Sequence, residues 1–179
     1  MNVYEAIRTR RSVRRYSPRP IPESTLPRLH DALRLAPSAC NLQPWRFIFV
    51  TDEKLREELG KAAHQQTFIA QAPLIVVACG FPDRAYKGMG GHGNSVDVDV
   101  AIALDHLTLA AVAEGLGTCW IGAFDEGAVK RLLAIPEEAK VVALTPLGFP
   151  ESSSLIRPVA KDERRIEGEV FSVNRFAPG

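Results

Sequence analysis

The chain has few of the residues that fix a chemistry by themselves. Its three cysteines, Cys40, Cys79 and Cys119, are odd in number and far apart. They form no CxxC pair and no metal-ligand spacing, so the expectation is reduced thiols and no structural metal. The four histidines, His30, His64, His92 and His106, show no HExxH or similar pattern. Neither sign of charge dominates. The 22 basic and 21 acidic side chains leave a formal net charge of +1, which removes any global case for nucleic acid or an anionic membrane. Any anion site must therefore be local. The longest apolar-rich stretch, 98–113, is broken by Asp99, Asp105, His106 and Thr108, so no membrane span is expected. Met1-Asn2-Val3-Tyr4-Glu5 lacks an apolar core of signal-peptide length, and a cytoplasmic protein is expected.

What remains is an ordinary composition. A length of 179 residues, with 46% apolar and 24% charged side chains, suits one soluble domain spanning 1–179. Helices are expected over 2–9, 24–35, 53–63, 96–115 and 126–134, with Asp52 or Thr51 and Asp125 as caps. Strands are expected over 45–50, 74–79, 118–121 and 140–147. The run Leu74-Ile75-Val76-Val77-Ala78-Cys79 is apolar without alternation, as in a central strand buried on both faces. Residues 80–95 hold Gly80, Gly88, Gly90, Gly91 and Gly93 and read as a mobile loop. Residues 96–115 carry apolar side chains almost all round the helix, which predicts burial all round. So small a domain has limited interior, so part of that helix should meet a second subunit. After Pro150 the chain turns polar, and 151–179 reads as an arm.

Four segments carry candidate chemistry. Arg10-Arg11-Ser12-Val13-Arg14-Arg15-Tyr16 concentrates positive charge around one serine. Guanidinium forks suit a phosphate, and a hydroxyl can join them. The same pattern also describes a solvated basic loop. In Pro37-Ser38-Ala39-Cys40-Asn41-Leu42-Gln43-Pro44, the amides of Asn41 and Gln43 suit the edge of a heteroaromatic ring, or Asn41 simply closes a turn. Gly117-Thr118-Cys119-Trp120-Ile121-Gly122-Ala123 has small residues that let a flat ring approach the backbone. A second basic cluster, Arg157, Lys161, Arg164 and Arg165, lies in the arm. Cys40 is either a redox-sensitive thiol or a small filler.

Taken in order, these segments resemble the flavin-dependent nitroreductase family, in its short-chain form. The resemblance covers nearly the whole chain. It rests on Arg10-Arg11-Ser12-Val13-Arg14, the Pro-Ser-x-x-Asn-x-Gln-Pro-Trp loop, Ala72-Pro73, Trp120-Ile121-Gly122-Ala123-Phe124, Pro146-Leu147-Gly148-Phe149-Pro150 and Asn174-Arg175-Phe176. Each motif is weak alone, but together they stand in register. The resemblance implies an α+β fold: a central mixed, mostly antiparallel sheet flanked by helices, a long buried helix at a dimer interface, and a C-terminal arm reaching the partner.

It also implies FMN at a homodimer interface, with NADH or NADPH as electron donor. Arg10, Ser12 and Arg14 match positions that contact the flavin phosphate, ribityl chain and pyrimidine edge, with Arg11 beside them. Arg164 and Arg165 match basic positions that close on the phosphate. Pro37, Ser38, Ala39 and Asn41 match a loop offered by the partner subunit. Gln65 and Gln66 match polar positions that reach the flavin. Ile121, Gly122 and Ala123 match the turn facing the isoalloxazine. The implied reaction passes a hydride through flavin N5 to a flat electron-poor acceptor, nitroaromatic or quinone-like, with ping-pong kinetics and no obligatory acid–base side chain. The alternatives are a flavin-binding or redox-sensing protein without turnover, and a dehalogenating or flavin-fragmenting reaction on the same site. Two features depart from the pattern. The glycine-rich loop 87–94 has no placed counterpart, and position 122 is glycine where some longer members carry glutamate.

Overall fold

A computed structural model describes residues 1–176. The order along the chain is α1 (Val3–Thr9), α2 (Leu26–Arg34), β1 (Trp45–Val50), α3 (Glu53–Ala62), β2 (Leu74–Gly80), α4 (Val96–Ala113), β3 (Gly117–Thr118), α5 (Glu126–Leu133), β4 (Lys140–Gly148) and α6 (Glu167–Val170). Short 3-10 turns lie between them.

The helix starts are local chemistry. Asn2 and Glu5 form a reciprocal capping box on α1, with bonds of 2.9 and 3.0 Å. Asp52 Oδ1 accepts from Leu55 N and Asp125 Oδ1 from Ala128 N, each at 2.9 Å, as the two caps read from the sequence require.

The strands form one sheet in the order β1-β2-β4-β3, and every ladder is antiparallel. The sheet's parallel component is a single bridge, Ser12 to Thr118. β2 lies inside, buried along its whole length. Leu74, Val76 and Ala78 face a core shared with α2 and α4, while Ile75, Val77 and Cys79 face a core shared with α3 and α5. Alternation places the two sets on opposite faces, and the unbroken apolar run follows from both faces being covered. Ala78 pairs with Ala143 but Cys79 pairs with Val141. The extra residue, Val142, is a bulge that returns Val141 to the second core.

Three expectations change in detail. The strand predicted over 118–121 pairs regularly at Gly117–Thr118, and Ile121 makes a separate bridge to Leu144. Between them the chain turns Trp120 outward. α4 is not buried all round. Val96, Val100, Ala103, Leu104 and Leu107 pack inward, while Val98 is 44% exposed. Val98, Ala101, Ile102 and His106 line an open groove of ≈ 530 Å³. The glycine-rich loop has a closed neck, since Ser95 N donates to Tyr86 O at 2.9 Å and Ser95 Oγ accepts from Tyr86 N at 3.2 Å. Arm residues beyond 160 are exposed, although Val159 N–H reaches back to the Arg8 carbonyl at 2.9 Å. No helix among the described residues is long and apolar enough to cross a membrane, and no His/Cys/Asp/Glu group there could hold a metal.

Candidate functional site

The arginine segment is an extended stretch stitched onto the short strand β3. α1 stops at Arg10, whose φ of −55° and ψ of 130° leave the helix. Val13 N then donates to Thr118 O at 2.8 Å. Val13 is 1% exposed and packs on Gly117, where an added Cβ would lie 2.6 Å from Val13 Cγ2. Glycine at 117 is thus what lets the segment approach. With Val13 turned in, alternation turns Ser12 and Arg14 out, and both are exposed. Tyr16 closes the segment from inside, its hydroxyl donating to Val13 O at 2.7 Å. Burial raises the Tyr16 phenol well above its ordinary value.

Arg11 points back under the loop. Its Nη1 donates to Arg10 O at 2.7 Å and to Arg8 O at 3.2 Å. Its Nη2 is buried and has no hydrogen-bond acceptor among the described residues. The side chain keeps only 17% of its exposure, and Glu163 Oε2 lies 3.7 Å away. Burial pulls the guanidinium down from its ordinary value. Glu163 opposes this, and Arg157, Arg164 and Arg10 add to it. Glu163 itself is held below the usual carboxylate range, first by Arg157 and then by the Ala160 N–H. So the arm delivers Arg157 and Arg164 to Arg10 and Arg11, with one carboxylate among four guanidinium groups. A buried donor without a hydrogen-bond acceptor, set among like charges, suits an anion. A phosphate fits that donor set.

Beside this cluster runs the turn after β3. Burial pushes the Cys119 thiol up, against the pull of Arg14, a hydrogen bond with Ser12, and Arg10. Those three residues therefore lie near one buried sulfur. Ile121 exchanges two backbone bonds with Leu144, at 2.8 and 3.0 Å. Gly122 and Ala123 follow, both exposed. A Cβ at Gly122 would meet nothing nearer than Trp120 Nε1 at 3.6 Å. Packing within this chain does not demand glycine there, so the open space suits a flat ligand. Gln66 Nε2 donates to Ala63 O at 3.0 Å and to Ala123 O at 3.3 Å, fixing the turn.

The structure thus brings together Arg10, Arg11, Ser12, Arg14 and Arg164 around the β3 edge, and Gln66 with Ala123. Other expected residues stand apart. Gln65, at φ 61°, lines a separate ≈ 410 Å³ groove with Glu53 and Glu57. Arg165 pairs with Glu169 inside the arm at 3.0 Å. Pro37, Ser38, Ala39 and Asn41 sit at the start of α4, where Ala39 N donates to Asp99 Oδ1 at 2.9 Å. Among the described residues no hydrogen bond or ion pair joins this loop to the arginine segment, and Cys40 is exposed. Sequence reasoning passed over Glu163 and Asp99. Asp99 did leave a signal, since an acid among Val96, Val100 and Ala103 sits on the buried face of the helix.

The profile of the nitroreductase family matches residues 7–81 and 64–149. A Rhodobacter capsulatus protein named 5,6-dimethylbenzimidazole synthase is 34% identical over 171 residues, covering 82% of this chain and 83% of its own. A Bacillus subtilis FMN reductase [NAD(P)H] is 28% identical over 184 residues, covering 94% of this chain and 74% of its own. The crystal structure of a nitroreductase family protein from Clostridium novyi NT superposes with a TM-score of 0.80 at 34% identity, covering 88% of this chain and 89% of that one.

Proposed function

The chain belongs to the nitroreductase family, and from that premise we propose an FMN-dependent NAD(P)H oxidoreductase that works as a homodimer on flat electron-poor acceptors. The observation that carries the reading is Arg11 Nη2, buried without an acceptor among Arg10, Arg157 and Arg164, beside an open glycine turn. Bound FMN would supply the redox chemistry, taking a hydride from NADH or NADPH and passing it to a nitroaromatic or quinone-like acceptor in the same cleft.

The protein's part is to bind, orient and tune. Arg10, Arg11 and Arg164 would hold the phosphate, and Arg165 would join them by releasing Glu169. Ser12 and Arg14, on the exposed side of the segment, would hold the ribityl chain and pyrimidine edge. A fixed positive charge from Arg14 there stabilises negative charge as it develops. Ile121, Gly122 and Ala123 would border the ring, with Gln66 holding the Ala123 carbonyl in place. Pro37, Ser38, Ala39, Asn41 and Gln65 would be offered across the dimer. The open face of α4, with Val98 and Ile102, is the surface a second copy would cover.

An absorption spectrum followed by anaerobic NAD(P)H addition tests this. A yellow protein that bleaches supports the reading, and parallel double-reciprocal plots would support ping-pong exchange. A yellow protein that stays yellow points to a sensing role without turnover. A colourless protein that FMN does not restore removes the cofactor assignment. The synthase named among the relatives favours a second reading, formation of a benzimidazole at the same site. Chromatography of an aerobic incubation with reduced FMN, analysed for 5,6-dimethylbenzimidazole, separates the two.

A further inference from the structure

One carboxylate in α4 accepts hydrogen bonds from two loop segments. Asp99 is 2% exposed and faces inward with Val96, Val100 and Ala103. Its Oδ1 accepts from Ala39 N at 2.9 Å, and its Oδ2 accepts from Ser95 Oγ at 2.7 Å. Lying in the first turn of α4, it also sits where the helix favours negative charge.

Each bond controls a segment. Residues 38–43 form a tight turn in which Cys40, Asn41 and Gln43 have φ of 51°, 56° and 49°. Only asparagine among these three residue types visits that region readily, so the turn needs outside support. Its bonds from Asn41 N to Ser38 O, Leu42 N to Ala39 O and Gln43 N to Ser38 Oγ are internal, while Gln43 O accepts from Trp45 N at 2.9 Å where β1 begins. Ala39 N–H ties the other end of the turn to α4 through Asp99. On the other side, Ser95 is 1% exposed and closes the neck of the glycine-rich loop by bonding Tyr86 through both N–H and Oγ. Ser95 Oγ thus joins Tyr86 to Asp99, and Asp99 joins Ser95 to Ala39.

We propose that Asp99 is a positioning residue that couples the turn 38–43 to the glycine-rich loop 86–95, so that the two take up their working positions together. Resting on the proposed function, in which that turn reaches the partner subunit's flavin, the coupling links the loop beside one protomer's helix to cofactor binding next door. A molecule pressing on the loop would be felt at the turn through the Ser95–Asp99–Ala39 chain.

The test is hydrogen exchange on the full chain carrying Ser95→Ala. This change removes one hydroxyl and touches nothing in 38–43. The expected result is faster exchange, by about tenfold or more, both in 84–95 and in 38–43. Acceleration confined to 84–95 would overturn the coupling. Asp99→Asn keeps an acceptor for Ala39 N and should retain protection of the turn, whereas Asp99→Ala should lose it. Should Asp99→Ala not fold, the Ser95 variant still decides. FMN titration is the second readout, with a loss of about threefold or more in Ser95→Ala. Wild-type protein that binds no FMN would sink the functional proposal alone, because the exchange result does not depend on flavin.

Discussion

Arg11 Nη2 and Glu163 Oε2 stand 3.7 Å apart, inside ion-pairing range and outside hydrogen-bonding range. The arginine is anchored by two backbone carbonyls, so it cannot move to meet the acid without losing them. Glu163 is instead drawn to Arg157 at 2.5 Å. Glu163 is thus an exposed counter-ion that a phosphate can displace. Glu163→Gln should tighten FMN binding, most clearly at low salt where screening is weak. Arg11→Gln should loosen it by roughly tenfold to a hundredfold, the range for a lost charged hydrogen bond. Fluorescence titration of FMN at two salt concentrations checks both, and unchanged affinity in Arg11→Gln would remove it from the phosphate site.

Arg14 is exposed and makes no ion pair with an acid among the described residues, so its charge can meet a ligand. Arg14→Ala should weaken FMN by about tenfold and make its midpoint potential more negative. Spectroelectrochemistry with a saturating flavin level reads the potential apart from the affinity. An unaltered potential and affinity would take Arg14 out of the pyrimidine-edge role.

Gly117 and Val13 meet too closely to admit another atom. Gly117→Ala should cost about 1–3 kcal/mol by overpacking, and displace Ser12 and Arg14 with Val13. Adding Val13→Ala should restore FMN affinity in part by making room. Urea denaturation and flavin titration on the single and double variants test this, and purely additive losses would contradict it.

α4 has two faces with different jobs. Leu107 is fully buried on the inner one, and Leu107→Ala should cost about 2–5 kcal/mol of unfolding free energy. Val98 is 44% exposed on the opposite face. In the proposed dimer, Val98→Asp should leave monomer stability nearly unchanged while shifting sedimentation from dimer to monomer, with FMN affinity falling alongside. A Val98→Asp protein that stays dimeric would assign the interface elsewhere.

Burial pushes the Cys79 thiol from 9.0 up to about 11, and raises Cys119 and Tyr16 as well. Above pH 9 the unfolded chain releases protons that the folded chain retains. Folding stability is therefore full below pH 9 and falls as pH rises toward 11. Cys79→Ala should lower stability at neutral pH, by the packing it loses, yet flatten this alkaline decline. Denaturation midpoints measured across that interval give the slope, and an unchanged slope would acquit the thiol.

Local chemistry was legible in the sequence where it acts locally. Asp52 and Asp125 announced two helices because a cap needs only the next three residues. The run 74–79 announced a doubly covered strand because burial acts on each side chain in turn. The Arg10–Arg14 segment and the Gly122–Ala123 turn were visible as motifs. Relations spanning the chain were not legible. The bond from Ala39 to Asp99 crosses 60 positions, and nothing in the loop's composition names its acceptor. The gap between Cys119 and Ile121 was hidden for a different reason. Apolar residues there predict a strand, but the pairing depends on where β4 presents its carbonyls. Glu163 was hidden in a charged arm, where its role follows from which guanidinium groups surround it.

The Tyr16 hydroxyl lies within 3.4 Å of the Pro146 carbonyl, 130 positions away in sequence. A contact between partners so distant forms only after nearly the whole chain has been synthesised and collapsed. The arginine segment of the proposed phosphate site is therefore held in place by contacts that only the folded chain provides. A ligand that binds only the folded site adds its binding energy to the stability of the fold. Flavin supply would therefore govern how much of this protein survives proteolysis, quite apart from how fast it turns over.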